Sequence, residues 1–234
     1  MESLIEFGRG PLFGFSFALM VLGLLRVLVL SVCGLAGALY SADDRKVRYG
    51  EVAKRTVSWI VPILRLWRTR PVYSTISFAF HVGLILVPVF LAAHVLLWRG
   101  SLGFGWWTLP QAAADWLTLL VVVTGPALLL GRLLHRGSRT LSRWQDFLWP
   151  PLITVPFVTG YLCANAVLSA SGYQLTMLIH VYSADLIMVL IPFTKIAHCV
   201  LLLLSHLVSA VGWKLPVGGG DRVAETLGKR GVVL

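Results

Sequence analysis

Four histidines stand inside strongly apolar stretches, His81 and His94 in one and His180 and His198 in another. An imidazole held at membrane depth is costly and tends to mark function. Two neutral imidazoles on opposite sides of one iron make the ligand set of a low-spin haem b. One such histidine alone is ordinarily a hydrogen-bonded interior residue. Four of them, two to a segment, point to a shared purpose. His135, in a basic stretch, and His206, near the end of the last apolar run, read as interfacial residues instead.

Spacing sharpens the reading. His180 and His198 are eighteen residues apart, which is five turns of an unbroken helix, so they share a face about 27 Å apart. His81 and His94 are thirteen apart, about 20 Å along the axis and roughly 140° out of alignment. Pro88 lies between them and can bend or rewind that helix. No Cys or carboxylate clearly accompanies either pair as a ligand, which disfavours a metal other than haem iron.

The elements that position these residues follow from composition. The 234 residues are 57% apolar, with a mean hydropathy of +0.82. Five apolar runs are long enough to span a bilayer: Leu12–Leu39, Thr75–Leu97, Ala113–Leu134, Phe147–Ala170 and Met177–Val208. The first is too long for a signal-peptide core and has no clear cleavage site, so it is expected to persist as a membrane helix. The expectation is an all-α, integral membrane five-helix bundle. Residues 1–210 form one transmembrane domain, including an interfacial segment at about 51–70, and residues 211–234 form a tail.

The net charge of +10 tempts a nucleic-acid reading, and its placement argues against one. Arg45, Lys46, Arg48, Lys54, Arg55, Arg65, Arg68 and Arg70 crowd the first connection. Arg132, Arg136, Arg139 and Arg143 follow the third run, and Lys214, Arg222, Lys229 and Arg230 lie in the tail. The other connections hold only Arg99. Such alternation is the positive-inside bias, and it places the N-terminus outside and the C-terminus in the cytoplasm. His81 and His198 then sit near the cytoplasmic face, and His94 and His180 near the outer face. Two cross-helix imidazole pairs at two depths are what two haems b require.

Further residues carry two readings each. Lys195 could meet a haem propionate, or a carboxylate or carbonyl inside the bundle. Asp185 could take a proton from a quinol, its charge being costly when buried, or pair within the bundle. Arg99 could orient a quinone carbonyl or anchor its helix. Tyr182 and Tyr173 are possible ring contacts, and Trp106 and Trp107 in "FGWWTLP" suit an interfacial belt. Segment 51–70, with Val57, Val61, Leu64 and Trp67 near helical spacing, lies on the headgroups or also docks a soluble partner. The glycine run after Lys214 reads as a linker whose order depends on a partner. Cys33, Cys163 and Cys199 show no CxxC spacing, so neither a disulfide framework nor an iron–sulfur site follows.

At "HVYSADLIMVLIPFTKIAHC", His180 to Cys199, the chain resembles the last haem-ligand helix of the gamma subunit of respiratory nitrate reductase. "PFTKIAH", Pro192 to His198, is its strongest element, and "FHVG" at Phe80–Gly83 looks like the start of that family's second helix. The resemblance covers roughly residues 10–210. The family places its second-helix histidines ten positions apart, where Leu91 stands here. The chain looks closer to the membrane cytochromes b of sulphur and sulphate respiration. The resemblance implies two haems b held by His81, His94, His180 and His198, and electron exchange with membrane quinol or quinone. It also implies a cytoplasmic iron–sulfur partner resembling heterodisulfide reductase or the nitrate reductase beta subunit, with room for a periplasmic cytochrome c. The location implied is the bacterial or archaeal cytoplasmic (inner) membrane, crossed several times. The residues leave two rivals open: a haem-free membrane anchor or proton-path subunit, and a haem-bearing assembly or sensor protein.

Overall fold

The computed structural model describes residues 1–42, 48–58, 70–165 and 167–229, and these fold into helices and the turns between them. Among the described residues, six helices are long and apolar enough to cross a membrane: Glu2–Ser41, Pro71–Phe90, Gln111–Leu134, Trp144–Ala164, Ala170–Phe193 and Lys195–Lys214. The chain is an all-α, multi-pass membrane protein.

Six replaces the expected five because the last apolar run is divided. Helix α9 (Ala170–Leu190) gives way to two short 3₁₀ turns, Ile191–Phe193 and Lys195–Ala197, before α10 (His198–Val211). Pro192 has no N–H to give to the carbonyl four residues back, and its ring crowds that carbonyl. Thr194 between the turns is extended, at φ −129° and ψ 179°, and its hydroxyl accepts from the Ile196 N–H at 3.4 Å. His180 and His198 therefore belong to different helices. The common face derived for one unbroken helix does not hold.

The second run is also divided. Helix α4 (Pro71–Phe90) stops at Leu91, which is extended at φ −65° and ψ 133°, and α5 (Ala92–Leu102) resumes. Pro88 opens this break by removing an N–H from the last turn of α4. In α8 (Trp144–Ala164), Pro150, Pro151 and Pro156 are tolerated without interruption. Pro150 frees the carbonyl of Asp146, which accepts a hydrogen bond from the Arg132 guanidinium. Prolines survive in membrane helices where a neighbour replaces the lost donor.

The chain divides into two compact units. The first comprises Met1–Met20 and Leu66–Leu190. In it α4 packs on α6 (Gln111–Leu134), the short α7 (Arg136–Leu141) follows, α6 packs on α8, and α8 on α9. The short helix α1 (Glu2–Phe7) and a π-helical turn, Gly8–Leu12, lie against α9. Lipid is as apolar as leucine, so close van der Waals packing rather than apolar transfer holds such helices together. Gly83 on α4 shows how close they come, since a Cβ there would fall 2.7 Å from the Leu117 carbonyl oxygen. Phe80, Val87, Val121, Ile153 and Phe157 are buried between these helices. Thr118, Thr124, Thr154 and Thr159 satisfy their buried hydroxyls on carbonyls four residues back.

The second unit comprises Val21–Arg65 and Ile191–Leu234, and carries most of α2 (Phe13–Ser41). Its α3 (Tyr49–Val57) packs on α10, with Val52 and Thr56 half-buried and Val57 exposed. The remainder of the expected interfacial segment, with Val61, Leu64 and Trp67, lies outside the described residues. The tail is not the linker its glycines suggested. Gly218 adopts φ +63° and starts α11 (Gly219–Thr226). Gly219 packs so tightly on the Trp213 carbonyl that a Cβ would lie 2.5 Å from its oxygen. There the glycines permit a tight turn instead of a loose chain.

Candidate functional site

The break at Leu91 builds one side of the site. Ending α4 strips the carbonyls of its last turn of their helical partners. Each finds another donor. His94 Nδ1 reaches the Pro88 oxygen at 3.1 Å, Trp106 Nε1 donates to Val89 at 2.9 Å, and the Leu109 N–H donates to Phe90 at 2.9 Å. A carbonyl only accepts, so His94 carries its proton on Nδ1. Its Nε2 keeps a lone pair suited to a metal.

The other side comes from α8 and α9. His180 Nδ1 lies 2.8 Å from the Pro156 carbonyl oxygen, which fixes the same tautomer. The Thr159 hydroxyl lies 3.4 Å from that nitrogen. Gly160 admits the ring, since a Cβ there would fall 2.9 Å from His180 Cε1. Both histidines are half-buried.

The two rings stand 6.1 Å apart between centroids, with 13° between their planes. Two imidazoles sharing one metal through their Nε2 atoms, with bonds of about 2.0–2.1 Å and each ring centre about 1.1 Å behind its nitrogen, would have centroids no more than roughly 6.2–6.4 Å apart. The observed separation is close to that span. Among the described residues, no three His, Cys, Asp or Glu side chains gather to hold a bare metal ion. Two imidazoles suffice where the ligand brings the remaining coordination itself, as a haem does. Nδ1 protons given to carbonyls are the supporting contacts that orient metal-binding histidines and raise their basicity. The residues fit a bis-histidine haem.

The remaining candidates are distributed differently. His81 Nδ1 lies 2.7 Å from the Ser77 oxygen and His198 Nδ1 lies 2.8 Å from the Lys195 oxygen, so both share the Nδ1–H tautomer. His81 belongs to the first unit, and His198 and Lys195 to the second. Of the two pairs, only His94–His180 falls within one unit, and there its rings meet. Asp185 is 4% exposed, and its Oδ2 has no hydrogen-bond partner among the described residues. Tyr182 donates its hydroxyl to the Leu4 carbonyl at 3.2 Å, so α1 occupies that group. Arg99 in the last turn of α5 is exposed, as is Tyr173.

Trp106, Thr159, Gly160 and the Pro156 carbonyl were not anticipated as parts of the site. Trp106, read from sequence as a membrane-belt residue, spends its indole N–H on the break beside His94. Its neighbour Trp107 stacks on Phe90, with centroids 4.3 Å apart. Both carbonyl partners belong to prolines, Pro88 and Pro156, and a proline in the sequence does not say which side chain its carbonyl will accept from.

No family model matches the chain, and no solved structure matches it. A protein of Nitratidesulfovibrio vulgaris (strain Hildenborough), described simply as "Protein", is 32% identical over 167 residues, or 71% of this chain and 73% of that one. The chain belongs to that protein's family. The description carries no activity, so the chemistry has to be argued from the site.

Proposed function

We propose that the chain is a haem b-carrying, electron-transferring subunit of a respiratory complex in the cytoplasmic membrane. It would exchange electrons between membrane quinol or quinone and a cytoplasmic iron–sulfur partner. The observation that carries this reading is the His94–His180 pair, with near-parallel rings 6.1 Å apart and both Nδ1 protons committed to carbonyls. When bound, haem supplies one-electron chemistry between its ferric and ferrous states. His94 and His180 hold and orient it. A second haem is proposed on His81 and His198, supported by their matching tautomers and the sequence resemblance, with Lys195 as a propionate partner. Asp185, buried and with one oxygen unpartnered among the described residues, is the candidate to accept a proton that a quinol gives up, and Arg99 and Tyr182 stay secondary candidates for the quinone. The positive-inside charge pattern supports an outer N-terminus, a cytoplasmic partner and, on the far side, a periplasmic cytochrome c.

The test is a reduced-minus-oxidised spectrum with quantified haem on the purified protein and its His180→Ala variant. The expected result is two bis-histidine haems in the parent and one in the variant. A parent without haem, or a variant keeping both signals in full, overturns the proposal.

The same Asp185 favours a second reading, a haem-free subunit lining a proton path, because a buried ionisable group in a membrane helix is by default a functional one. Absence of haem, together with loss of proton movement in vesicles on Asp185→Asn, would select it.

A further inference from the structure

The first apolar run, Leu12–Leu39, carries a single charge, Arg26. At the helical rise it lies about 20 Å from either end of the run, and half the hydrocarbon core is only about 15 Å thick. The nearest charged residues along the chain are Arg9, seventeen positions before it, and Asp43, seventeen after. A partner on the same helix would have to stand three or four residues away. None does. Nor is the side chain placed to snorkel, which serves residues near helix ends.

The structure leaves this guanidinium facing outward. In α2, Leu24, Val27, Ser31 and Leu35 are half-buried, and a Cβ on Gly23 would fall 2.6 Å from Pro192 Cβ, so this side packs on the chain's own residues. Arg26 is on the other side and exposed. With it stand Leu22, Val29, Leu30 and Cys33, at −4, +3, +4 and +7 on the same stripe, and all are exposed. A Cβ on Gly37, further along that stripe, would meet nothing within 4 Å. Among the described residues Arg26 makes no hydrogen bond and no ion pair.

Exposed leucines on such a helix need nothing but lipid. The arginine is different, because a charge at this depth is costly unless a counter-charge meets it inside a bundle. The face is therefore an interface, and the charge gives its chemistry: a carboxylate, which a guanidinium binds through paired hydrogen bonds. A second copy is a poor source of it. Self-pairing of this face would set Arg26 against Arg26. Asp185, the carboxylate deepest in this chain's own apolar runs, is only 4% exposed.

We infer that Arg26 docks a membrane-spanning helix of another subunit, one that carries an aspartate or glutamate at the same depth. Leu22, Val29 and Leu30 pack against that helix, and Gly37 lets its backbone come close. This contact lies within the membrane, apart from any cytoplasmic or periplasmic partner, and it does not depend on haem.

The test keeps the full chain in its native membrane and replaces Leu30 with a diazirine-bearing photo-leucine. Irradiation should cross-link it to another polypeptide. Mass spectrometry should place the attachment in an apolar segment of about 20 residues, with an Asp or Glu within two turns. Arg26→Gln should lower the cross-link yield by about 5–30-fold, the range of a polar contact between membrane helices, and Arg26→Lys by less than about threefold. Exchanging the partner's carboxylate for its amide should match the Arg26→Gln loss, and the two changes together should add nothing. The cross-link is read with Arg26 in place, so the inference stays testable if Arg26→Gln fails to fold. Attachment to lipid alone would reassign Arg26 to phospholipid headgroups and overturn the inference. Attachment to a second copy or to a segment without an Asp or Glu, or an unchanged yield in folded Arg26→Gln, also overturns it.

Discussion

The tightest steric feature of the histidine pair is the approach of Gly160 to His180, and it yields a sharp test. In Gly160→Ala the new methyl would lie 2.9 Å from Cε1 and 3.2 Å from Nδ1 of the imidazole. Ordinary carbon contacts begin near 3.5 Å, so ring and helix must separate by roughly 0.6 Å. The ring cannot yield freely, because its Nδ1 bond to Pro156 is 2.8 Å long and would stretch beyond normal hydrogen-bonding length. Overpacking of this kind costs about 1–3 kcal/mol. The helix gains up to about 1 kcal/mol by exchanging glycine for alanine, so the net loss is on the order of 1 kcal/mol. For a chain this long that lowers Tm by about 2–4 °C. The orienting hydrogen bond matters more, since losing such a contact typically weakens metal binding 10–100-fold. Gly131→Ala on α6 is the matched control, as a Cβ there meets nothing within 4 Å. The assay is thermal unfolding in detergent, alongside titration of haem into protein depleted of it. Gly160→Ala should unfold earlier and bind the proposed haem at least about tenfold more weakly, while Gly131→Ala unfolds at or above the parent's Tm, by up to about 1 kcal/mol of added helix stability, and binds haem as the parent does. Identical behaviour of the two variants would refute the claim that α8 cradles the His180 ring.

Trp106→Phe keeps the aromatic bulk but leaves the Val89 carbonyl without its donor; the expected loss is about 1–3 kcal/mol, read as a lower Tm and, on the proposed function, as a shifted spectrum of the haem assigned to His94. Asp185→Asn preserves shape while removing a buried carboxylate, so stability should hold or rise by about 1 kcal/mol. In the same variant quinol-driven haem reduction should slow by about 10²–10⁴-fold, and an unchanged stopped-flow rate would exclude Asp185 from proton transfer. Gly23→Ala brings a methyl to 2.6 Å from Pro192 Cβ, an overpacking expected to cost about 1–3 kcal/mol in thermal unfolding.

Much of this molecule is written in its composition. Apolar runs of bilayer length follow from the hydrocarbon thickness and need no partner, and so does the cost that singles out a histidine within them. Hence the helical class, four of the six spanning segments and all four candidate ligands could be read directly. The breaks inside the second and last runs could not be. Pro88 and Pro192 announced a disturbance, but Pro150 and Pro156 did not interrupt α8. Whether a proline breaks its helix depends on what donor stands opposite the freed carbonyl. Arg132 does so at Asp146, whereas at Leu91 the chain opens and His94, Trp106 and Leu109 close the account from beyond the break.

The sequence by itself therefore marked the candidate ligands and the apolar, membrane-length helices, because hydropathy and residue chemistry are local properties. Only the tertiary structure decided that His94 and His180 face each other with their Nδ1 protons bound, that His198 begins a new helix, and that the glycine-rich tail folds back against Trp213. The pairing turns on the Pro156 carbonyl, which another helix brings to His180, and the other two on breaks and close approaches whose outcome depends on what packs opposite, which residue chemistry alone does not fix.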